Sequence, residues 1–240
     1  IILFAKENGY QNVFIPADNL EEAGLISGIN IFPVKTLRQL VKHLISEELI
    51  EPLIIIPNQV FEHLDDYQMD MSDVHGQEQA KRALEIAAAG AHNILLSGPP
   101  GSGKTLLART MPSILPGMTE DEIIEVTKIY SIAGLLGKAK PMITTRPFRS
   151  PHHTSSGVSL VGGGRVPKPG EISLAHRGIL FLDELPEFPR QVLENLRQPI
   201  EDGVISISRA QGTLNYPARF TLIASQNPCP CGYYSDPDKN

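Results

Sequence analysis

Residues 93–105 read NILLSGPPGSGKT, and they carry the strongest fold signal in the chain. Its start, 94–96, is a short apolar run that predicts a buried β-strand. From Gly98 to Thr105 the residues follow the spacing G-x-x-x-x-G-K-[ST], the pattern of a phosphate-binding loop between a strand and a helix. Glycines let the backbone curl so that successive N–H groups face phosphate oxygens, and the helix that follows adds the positive end of its dipole. The stretch therefore predicts an α/β fold with a nucleotide site.

The phosphate-binding loop also predicts roles for single side chains. We expect Lys104 to reach the β- and γ-phosphates of a bound nucleotide. We expect the hydroxyl of Thr105 to hold the Mg²⁺ ion that accompanies those phosphates. The loop residues predicted to bind the nucleotide are Gly98, Pro99, Pro100, Gly101, Ser102, Gly103, Lys104 and Thr105.

A second motif ends in two carboxylates. Residues 178–184 read GILFLDE, in which four apolar residues predict a buried strand that two acids follow. This fits a Walker B element, in which Asp183 would bind in the Mg²⁺ shell and Glu184 would polarise the attacking water. A third apolar strand, 221–224, leads to Asn227, whose amide could orient that water beside the phosphate-binding loop. The three stretches together predict hydrolysis of the nucleotide as well as its binding.

The composition is that of an ordinary globular protein. The chain has 240 residues, enough for one large or two small domains, and it is 41% hydrophobic with a mean hydropathy of −0.08. No apolar run approaches the roughly 20 residues of a membrane span, and residues 1–4 lack the basic start of a signal peptide. Two cysteines are too few for a disulfide framework, which favours a cytoplasmic location. An apolar start without methionine indicates a piece of a longer protein.

Charge is unevenly distributed along the chain. The formal net charge is −6, and residues 1–70 carry eleven acids against four bases. Residues 141–181 reverse this balance, with five bases against one acid, Glu171. A basic segment in an acidic chain is a candidate contact for nucleic acid, although its arginines can instead pair with carboxylates of the fold. The five bases are Arg146, Arg149, Arg165, Lys168 and Arg177.

Hydrophobic periodicity predicts a small α/β piece before residue 50 and a larger domain from residue 72. Residues 51–71 contain prolines and acids, and we interpret them as a linker. Residues 134–177 are rich in Gly, Pro and Ser, and a segment this long without periodicity is typical of a functional region. The expected elements of the small piece are a helix at 3–8, a strand at 12–15, a helical turn at 20–23, a strand at 28–32 and a helix at 36–45. Those of the larger domain, beside the three strands above, are helices at 77–89, 104–110 and 119–132, a helix after Pro189 and a hairpin at 203–220.

Several residues predict where helices of the larger domain begin and end. Gly90 is expected to stop the first of them, and Pro112 to end or kink the helix that follows the phosphate-binding loop. Thr119 and Glu122 have the spacing of a capping box, which opens a helix. Pro189 fits the first position of a later helix.

Four segments of the larger domain closely resemble the ComM/YifB family of AAA+ ATPases, which are related to the motor subunit of magnesium chelatase. The resemblance covers nearly all of residues 68–240 and implies a P-loop AAA+ core, in which a parallel sheet carries helices on both faces. It also implies ATP and Mg²⁺ as cofactors, assembly into a hexameric ring, and DNA branch migration during natural transformation. The segments are HGQEQAKRALEIAAAGAHNILLSGPPGSGKT (75–105), RPFRSPHHTSSGVSLVGGGRVPKPGEISLAHRGILFLDE (146–184), LRQPIEDG (196–203) and YPARFTLIASQNPCPCG (216–232).

The same resemblance implies roles for further parts of the chain. It implies an insert near 146–170 and a hairpin near 203–217, which would face the pore of the ring and grip DNA phosphates. It makes Asn227 the first sensor and puts Gln77 near the adenine. The family continues with an arginine finger and a helical lid, so we expect a chain that stops at Asn240 to bind nucleotide better than it hydrolyses it. The candidate DNA contacts are Arg146, Arg149, Arg165, Lys168 and Arg209.

The first part of the chain resembles the last part of a Lon-protease-like domain. The residues that carry this resemblance are AKENGYQNVFIPADNLEEAG (5–24) and INIFPVKTLRQLVKHL (29–44). In Lon proteases the catalytic serine and lysine lie upstream of this region, and Lys35 and Ser46 have no motif around them, so we expect both to be exposed surface. The predicted domains are the C-terminal part of a Lon-like domain at 1–50, a linker at 51–71 and an AAA+ ATPase domain without its C-terminal lid at 72–240.

Two alternative functions stay open at this point. The same ATPase core could drive metal insertion into a tetrapyrrole, as a magnesium-chelatase-like motor, although such a motor does not need a Lon-like piece. The chain could also be a component of a Lon-type ATP-dependent protease, whose serine and lysine would have to lie upstream.

Two pairs of metal-ligating residues lie outside these motifs. His152 and His153 are adjacent, so their side chains point in different directions on most backbones, and no carboxylate lies within about a dozen residues of them. We therefore expect a structural or phosphate-contact role for them. Cys229 and Cys231 supply at best half of the four ligands of a structural zinc site, so zinc would need a second cysteine pair from elsewhere.

Overall fold

The computed structural model describes residues 1–24, 26, 28–53, 69–137, 142–164, 167–209 and 212–229. It describes the backbone alone for Glu21, Glu22, Ser208 and Arg209. The chain divides into two compact units. The first contains the described residues up to 53 with Gly137 and Met142, and the second contains those from 69 to 136 and from 143 to 229.

The first unit is a small α/β piece built around two parallel strands. Its elements are α1 (Ile2–Glu7), β1 (Asn12–Pro16), α2 (Leu20–Ala23), β2 (Asn30–Val34) and α3 (Leu37–Leu44). Val13 of β1 lies beside Ile31 of β2, and both are buried. β2 begins two residues later than the periodicity predicts, because Gly28 before it adopts a left-handed φ of +83°. Lys35 and Ser46 are exposed, as predicted.

The second unit contains the remaining helices and strands. Its first half comprises α4 (Glu78–Gly90), β3 (Ile94–Ser97), α5 (Lys104–Thr110), α6 (Glu120–Ala133), β4 (Phe148–Arg149), α7 (Gly157–Val161), β5 (Gly162–Gly163) and β6 (Lys168–Pro169). Its second half comprises α8 (Glu171–Leu174), β7 (Ile179–Leu182), α9 (Arg190–Glu194), α10 (Arg197–Asp202), β8 (Val204–Arg209), β9 (Gly212–Pro217) and β10 (Thr221–Gln226). Short 3₁₀ turns occupy Met71–Asp73, Met111–Ile114 and Leu185–Glu187.

Four strands of the second unit form a parallel sheet in the order β3-β10-β7-β4. In the register, Ile223 of β10 lies between Ile94 of β3 and Phe181 of β7. Because all four strands run in one direction, the segments that leave their carboxyl ends lie at one edge of the sheet. These segments include the phosphate-binding loop after β3, the two acids after β7 and Asn227 after β10.

Apolar cores cover both faces of this sheet. Every residue of β7 is fully buried, and its alternate side chains enter different cores. Phe181 packs with Leu84 of α4 and Leu107 of α5, whereas Leu182 packs with Leu160 of α7 and Val192 of α9. The predicted α/β core, a parallel sheet with helices on both faces, is confirmed.

The helix boundaries follow the predicted signals to within one residue, and the signals at Gly90 and Pro189 differ most clearly. α4 continues through Gly90 and ends at Ala91, which takes the left-handed conformation that we expected of the glycine. Gly90 fits inside the helix because the ring of His92 lies against it, where a Cβ atom would be 2.3 Å from Nε2. Pro189 is the residue before α9 rather than its first residue. The capping box of Thr119 and Glu122 is present in both directions at the start of α6.

The described parts of the segment 134–177 contain short helices and strands that its lack of periodicity did not predict. Its short elements α7, β5, β6 and α8 carry buried side chains, among them Leu160 and Ile172. These pack with Ile205 and Ile207 from the hairpin of β8 and β9, in which Ile205 lies opposite Tyr216. The predicted hairpin is therefore present. Its turn at 210–211 lies outside the described residues.

None of the helices described here is long and apolar enough to cross a membrane.

Candidate active site

The loop between β3 and α5 has the curled backbone that the glycine pattern predicts. Gly101 and Gly103 have φ values of +78° and +83°, which a residue with a Cβ atom rarely adopts. Gly103 directly precedes α5, so the loop runs into the amino end of that helix. Gln77, which also has a left-handed φ, donates from Nε2 to the carbonyl oxygen of Ser102 at 3.3 Å. The predicted adenine-side residue thus contacts the phosphate-binding loop.

Lys104 connects the loop to the end of β10. Its Nζ donates to the carbonyl oxygens of Gly98 at 2.8 Å and Pro99 at 2.9 Å. It also donates to Oδ1 of Asn227 at 3.2 Å, across 123 positions of sequence. The structure therefore brings together two residues for which the sequence predicts roles at the nucleotide.

Asp183 is held by hydroxyl groups from two different elements. Thr105 Oγ1, at the start of α5, donates to Asp183 Oδ2 at 2.9 Å. Ser225 Oγ, in β10, donates a hydrogen bond to Asp183 Oδ1 and accepts the backbone N–H of Glu184 at 3.1 Å. A hydroxyl beside a carboxylate is the kind of oxygen donor set that Mg²⁺ takes together with phosphate oxygens. Thr105 and Asp183 thus fit the predicted metal site.

Glu184 projects from a strained backbone. Its φ is +54°, and its side chain is 53% exposed. Its Oε2 atom lies 3.7 Å from Nδ1 of His153, whose ring meets the ring of Phe188 edge-on. Glu184 is 31 positions from His153 in the sequence, and the pairing of β4 with β7 brings the two together. Only the order of strands in the sheet would have predicted this contact, and strand order is not visible in the sequence.

Arg146 makes its contacts within the fold, and its role as a DNA contact stays a prediction. Its guanidinium donates to the carbonyl oxygens of Pro116 at 2.6 Å, Arg177 at 2.6 Å and Gly117 at 3.2 Å. It also donates to Oε2 of Glu122 at 3.1 Å, and only 14% of its side chain is exposed. These bonds use most of the donors that a phosphate would need.

Arg149 also makes its contacts within the fold, and its role as a DNA contact stays a prediction as well. Its Nε and Nη2 atoms donate to the two carboxylate oxygens of Glu171 at 2.6 Å and 2.7 Å, a bidentate pair. The bond to Glu171 raises the pKa of Arg149, although burial opposes this, and burial raises the pKa of neighbouring Tyr130. The alternative stated above, that basic residues pair with carboxylates of the fold, holds for both arginines.

The structure describes the remaining candidate DNA contacts to different extents. Lys168 is exposed on β6. Arg165 lies outside the described residues, and Arg209 is described by its backbone alone, within β8. Cys231 also lies outside them, so the zinc question is untested. In the described part of the chain, no group of three or more His, Cys, Asp or Glu residues is arranged to hold a metal ion.

A cluster that the sequence did not predict joins buried His176 to partly exposed Glu125 and Arg177. His176, only 2% exposed, accepts the backbone N–H of Arg219 at Nδ1, so its proton is assigned to Nε2, which lies 3.2 Å from Glu125 Oε2. Burial lowers the pKa of His176. Burial also acts to raise the pKa of Glu125, but hydrogen bonds from Arg177 and His176 outweigh it and lower that pKa.

Comparison with known proteins identifies the family. The family model described as "Magnesium chelatase, subunit ChlI" matches residues 70–240. The chain belongs to this family. It is also similar to the competence protein ComM of Haemophilus influenzae, with 46% identity over 235 residues, and to YifB of Escherichia coli, with 46% identity over 227 residues. The resemblance seen in the sequence is confirmed.

These matches cover nearly all of this chain but less than half of each relative. They span 97% and 93% of this chain, but only 46% of ComM and 43% of YifB. The chain thus spans less than half the length of these relatives. Among solved structures, this chain is similar to one chain in a complex of the magnesium chelatase subunits BchI and BchD. The match covers 66% of this chain and 54% of that chain. Its TM-score is 0.52 at 24% identity, a likeness that shows the AAA+ fold.

Proposed function

We propose that this chain is the ATP-binding and ATP-hydrolysing core of an AAA+ motor. The observation that carries the proposal is the convergence of Lys104 and Thr105 from one motif with Asn227 and Asp183 from two others. Sequence separations of 123 and 78 positions make these contacts a property of the fold rather than of a local turn. The residues have the chemistry that phosphoryl transfer to water requires.

In this mechanism the backbone N–H groups of the loop and the amino end of α5 bind the phosphates. Lys104 would exchange its carbonyl acceptors for phosphate oxygens, and Thr105 and Asp183 would hold Mg²⁺. When bound, the ion neutralises charge on the phosphates. Glu184 accepts a proton from the attacking water, and Asn227 orients that water.

We further propose that the motor remodels DNA, as a ring of copies in the cytoplasm. The similarity to ComM, together with exposed Lys168, supports this choice. In this proposal Lys168 and Arg165 of the insert and Arg209 of the hairpin bind DNA phosphates without reading bases. In this proposal residues 1–50 belong to a Lon-like domain, 51–71 to a linker and 72–240 to an AAA+ domain.

A chelatase-like motor is the second candidate. It is favoured by the matching family model and by the BchI–BchD likeness, which both concern magnesium chelatase. The two candidates share ATP hydrolysis and differ in what stimulates it.

The test is the ATPase rate of the full-length parent protein with and without branched DNA. Lys104→Ala should abolish the rate in both conditions. Lys168→Ala should weaken DNA binding and lower the slope of log affinity against log salt by about 1, because one phosphate contact is lost. Lys128→Ala is the matched control, since it removes another exposed lysine, on α6. A rate that Lys104→Ala abolishes but DNA leaves unchanged would favour the chelatase-like candidate.

A further inference from the structure

Ser225 is a buried serine that touches both carboxylate residues of the site. It lies in β10 between Ala224 and Gln226 and is 0% exposed. A hydroxyl has one hydrogen to donate and lone pairs to accept. Here the hydrogen goes to Asp183 Oδ1, since a carboxylate only accepts, and a lone pair accepts the N–H of Glu184 at 3.1 Å. Ser225 Oγ can therefore make both bonds at the same time, as the donor to Asp183 and the acceptor from Glu184.

The bond to Asp183 sets the orientation of its carboxylate. One oxygen, Oδ1, bonds to Ser225 and the other, Oδ2, bonds to Thr105 at 2.9 Å. The two donors come from β10 and α5, so rotation of the carboxylate breaks bonds to two separate elements. Ser225 thereby keeps Oδ2 directed at the residue that shares the proposed metal site.

The bond to Glu184 holds the backbone from which its side chain projects. Glu184 has a φ of +54°, in the left-handed region that residues with a Cβ atom disfavour. Such a conformation persists only where its surroundings maintain it. By accepting the amide hydrogen, Ser225 maintains it and so fixes the direction of the Glu184 carboxylate.

We propose that Ser225 is a positioning residue that orients Asp183 for Mg²⁺ and Glu184 for the attacking water. The inference rests on the proposed function, because it concerns the same site. It predicts that one hydroxyl affects two measurable properties, namely the Mg²⁺-dependent part of nucleotide affinity and the hydrolysis rate.

The chain offers a matched control for the loss of a buried hydroxyl. Ser173 in α8 is also 0% exposed, and its Oγ has no hydrogen-bond partner among the described residues. Ser173→Ala removes the same atom as Ser225→Ala without removing either bond. Ser225→Thr keeps the hydroxyl and serves as the rescue variant. Ser225→Cys keeps a similar size with a weak donor, and it replaces Ser225→Ala if that variant does not fold.

The experiment titrates a fluorescent ATP analogue into the full-length parent protein and its variants, with Mg²⁺ and with EDTA. We expect Ser225→Ala to reduce the affinity gain from Mg²⁺ about 10-fold, the effect typical of residues that orient metal ligands. Affinity in EDTA should stay within about 2-fold, since the loop that binds phosphates is unchanged. The kcat should fall about 10-fold or more, Ser225→Thr should recover much of both properties, and Ser173→Ala should match the wild type.

Other outcomes overturn the inference. An unchanged Mg²⁺ effect in a folded Ser225→Ala variant refutes the positioning role. Equal losses of affinity in Mg²⁺ and in EDTA indicate general damage to the fold and also refute it. If the wild type binds no nucleotide, or Lys104→Ala binds as well as the wild type, the proposed function itself fails.

Discussion

At the residue scale, the site consists of short polar contacts between residues far apart in sequence. Thr105 meets Asp183, Lys104 meets Asn227, and both contacts lie at the carboxyl edge of the parallel sheet. The motif spacing predicted roles for these residues, because phosphate and Mg²⁺ need particular donors and acceptors. The roles of these residues remain predictions, and substitutions that keep the shape of the side chain test them best.

Glu184→Gln tests the predicted proton acceptor. We expect kcat to fall by about 100-fold to 10⁴-fold, the range typical of the loss of a general base. Nucleotide affinity should stay within about 2-fold. Single-turnover hydrolysis and nucleotide titration measure the two effects. Glu187→Gln, at an exposed acid three residues further on, is the control and should hydrolyse normally. Normal hydrolysis by Glu184→Gln would contradict the assignment.

Arg149→Ala tests whether this arginine belongs to the fold. Removal of one partner from the bidentate pair leaves Glu171, only 22% exposed, without its counter-charge. We expect the free energy of unfolding to fall by about 2–3 kcal/mol, measured by urea denaturation. Arg190→Ala removes an exposed pair with Glu194 and should cost less than about 0.5 kcal/mol. A stable Arg149→Ala variant that had lost DNA affinity would instead support the DNA-contact assignment.

At the element scale, close packing of backbones limits side-chain size next to the short strand β4. Gly178 directly precedes β7, and a Cβ atom there would lie 2.1 Å from the carbonyl oxygen of Pro147. That oxygen accepts the backbone N–H of Ile179 at 2.8 Å, the bond that joins the two segments. The sequence shows a glycine before an apolar strand but not the backbone that approaches it.

Gly178→Ala should therefore destabilise the second unit. We expect a loss of about 2–3 kcal/mol, because backbone atoms of Pro147 must move apart from β7. Gly117→Ala is the control, since no atom lies within 4 Å of a Cβ atom at that position, and it should change stability by less than about 1 kcal/mol. Urea denaturation of both variants measures the difference. Equal stability of the two would mean that the sheet adjusts without cost.

At the scale of the whole molecule, acid should destabilise the fold through buried His176 and its cluster with Glu125 and Arg177. Burial, together with Arg177 and Arg219, lowers the pKa of His176 below its ordinary value of 6.5, although Glu125 opposes this. Between the two pKa values, His176 binds a proton in the unfolded chain but not in the folded chain. The contribution of His176 to the free energy of unfolding is therefore fully present above about pH 6.5 and falls as the pH decreases toward its lowered pKa in the folded state.

The expected result is a Tm that decreases between pH 7 and pH 5, with a smaller decrease in His176→Gln, because glutamine does not titrate. Thermal unfolding across this range measures both slopes. The contribution of Glu125 changes in a separate window, since its pKa is lowered from 4.5 and its effect is lost only in stronger acid. Identical slopes in the two proteins would show that His176 does not control the acid response.

The predictions from sequence were accurate where a property depends on neighbouring residues. The helix over Lys104–Thr110 and the capping box at Thr119 were right, because helix ends depend on a few adjacent side chains. The predictions for Gly90 and Pro189 were each wrong by one position, since packing selects which of two adjacent residues leaves the helix. The identity of the loop and of the strand ending at Asp183 also followed from local pattern alone.

Long-range contacts were decided by the tertiary structure. Arg146 and Arg149 are basic in sequence, yet carbonyl and carboxylate oxygens from distant segments use their donors. No local pattern links Ser225 to Asp183 or His153 to Glu184, since strand pairing brings these residues together. Residue type and spacing therefore determine which groups a strand or loop offers. The order of strands in the sheet determines which of those groups meet, because it alone sets the distances between segments far apart in the chain.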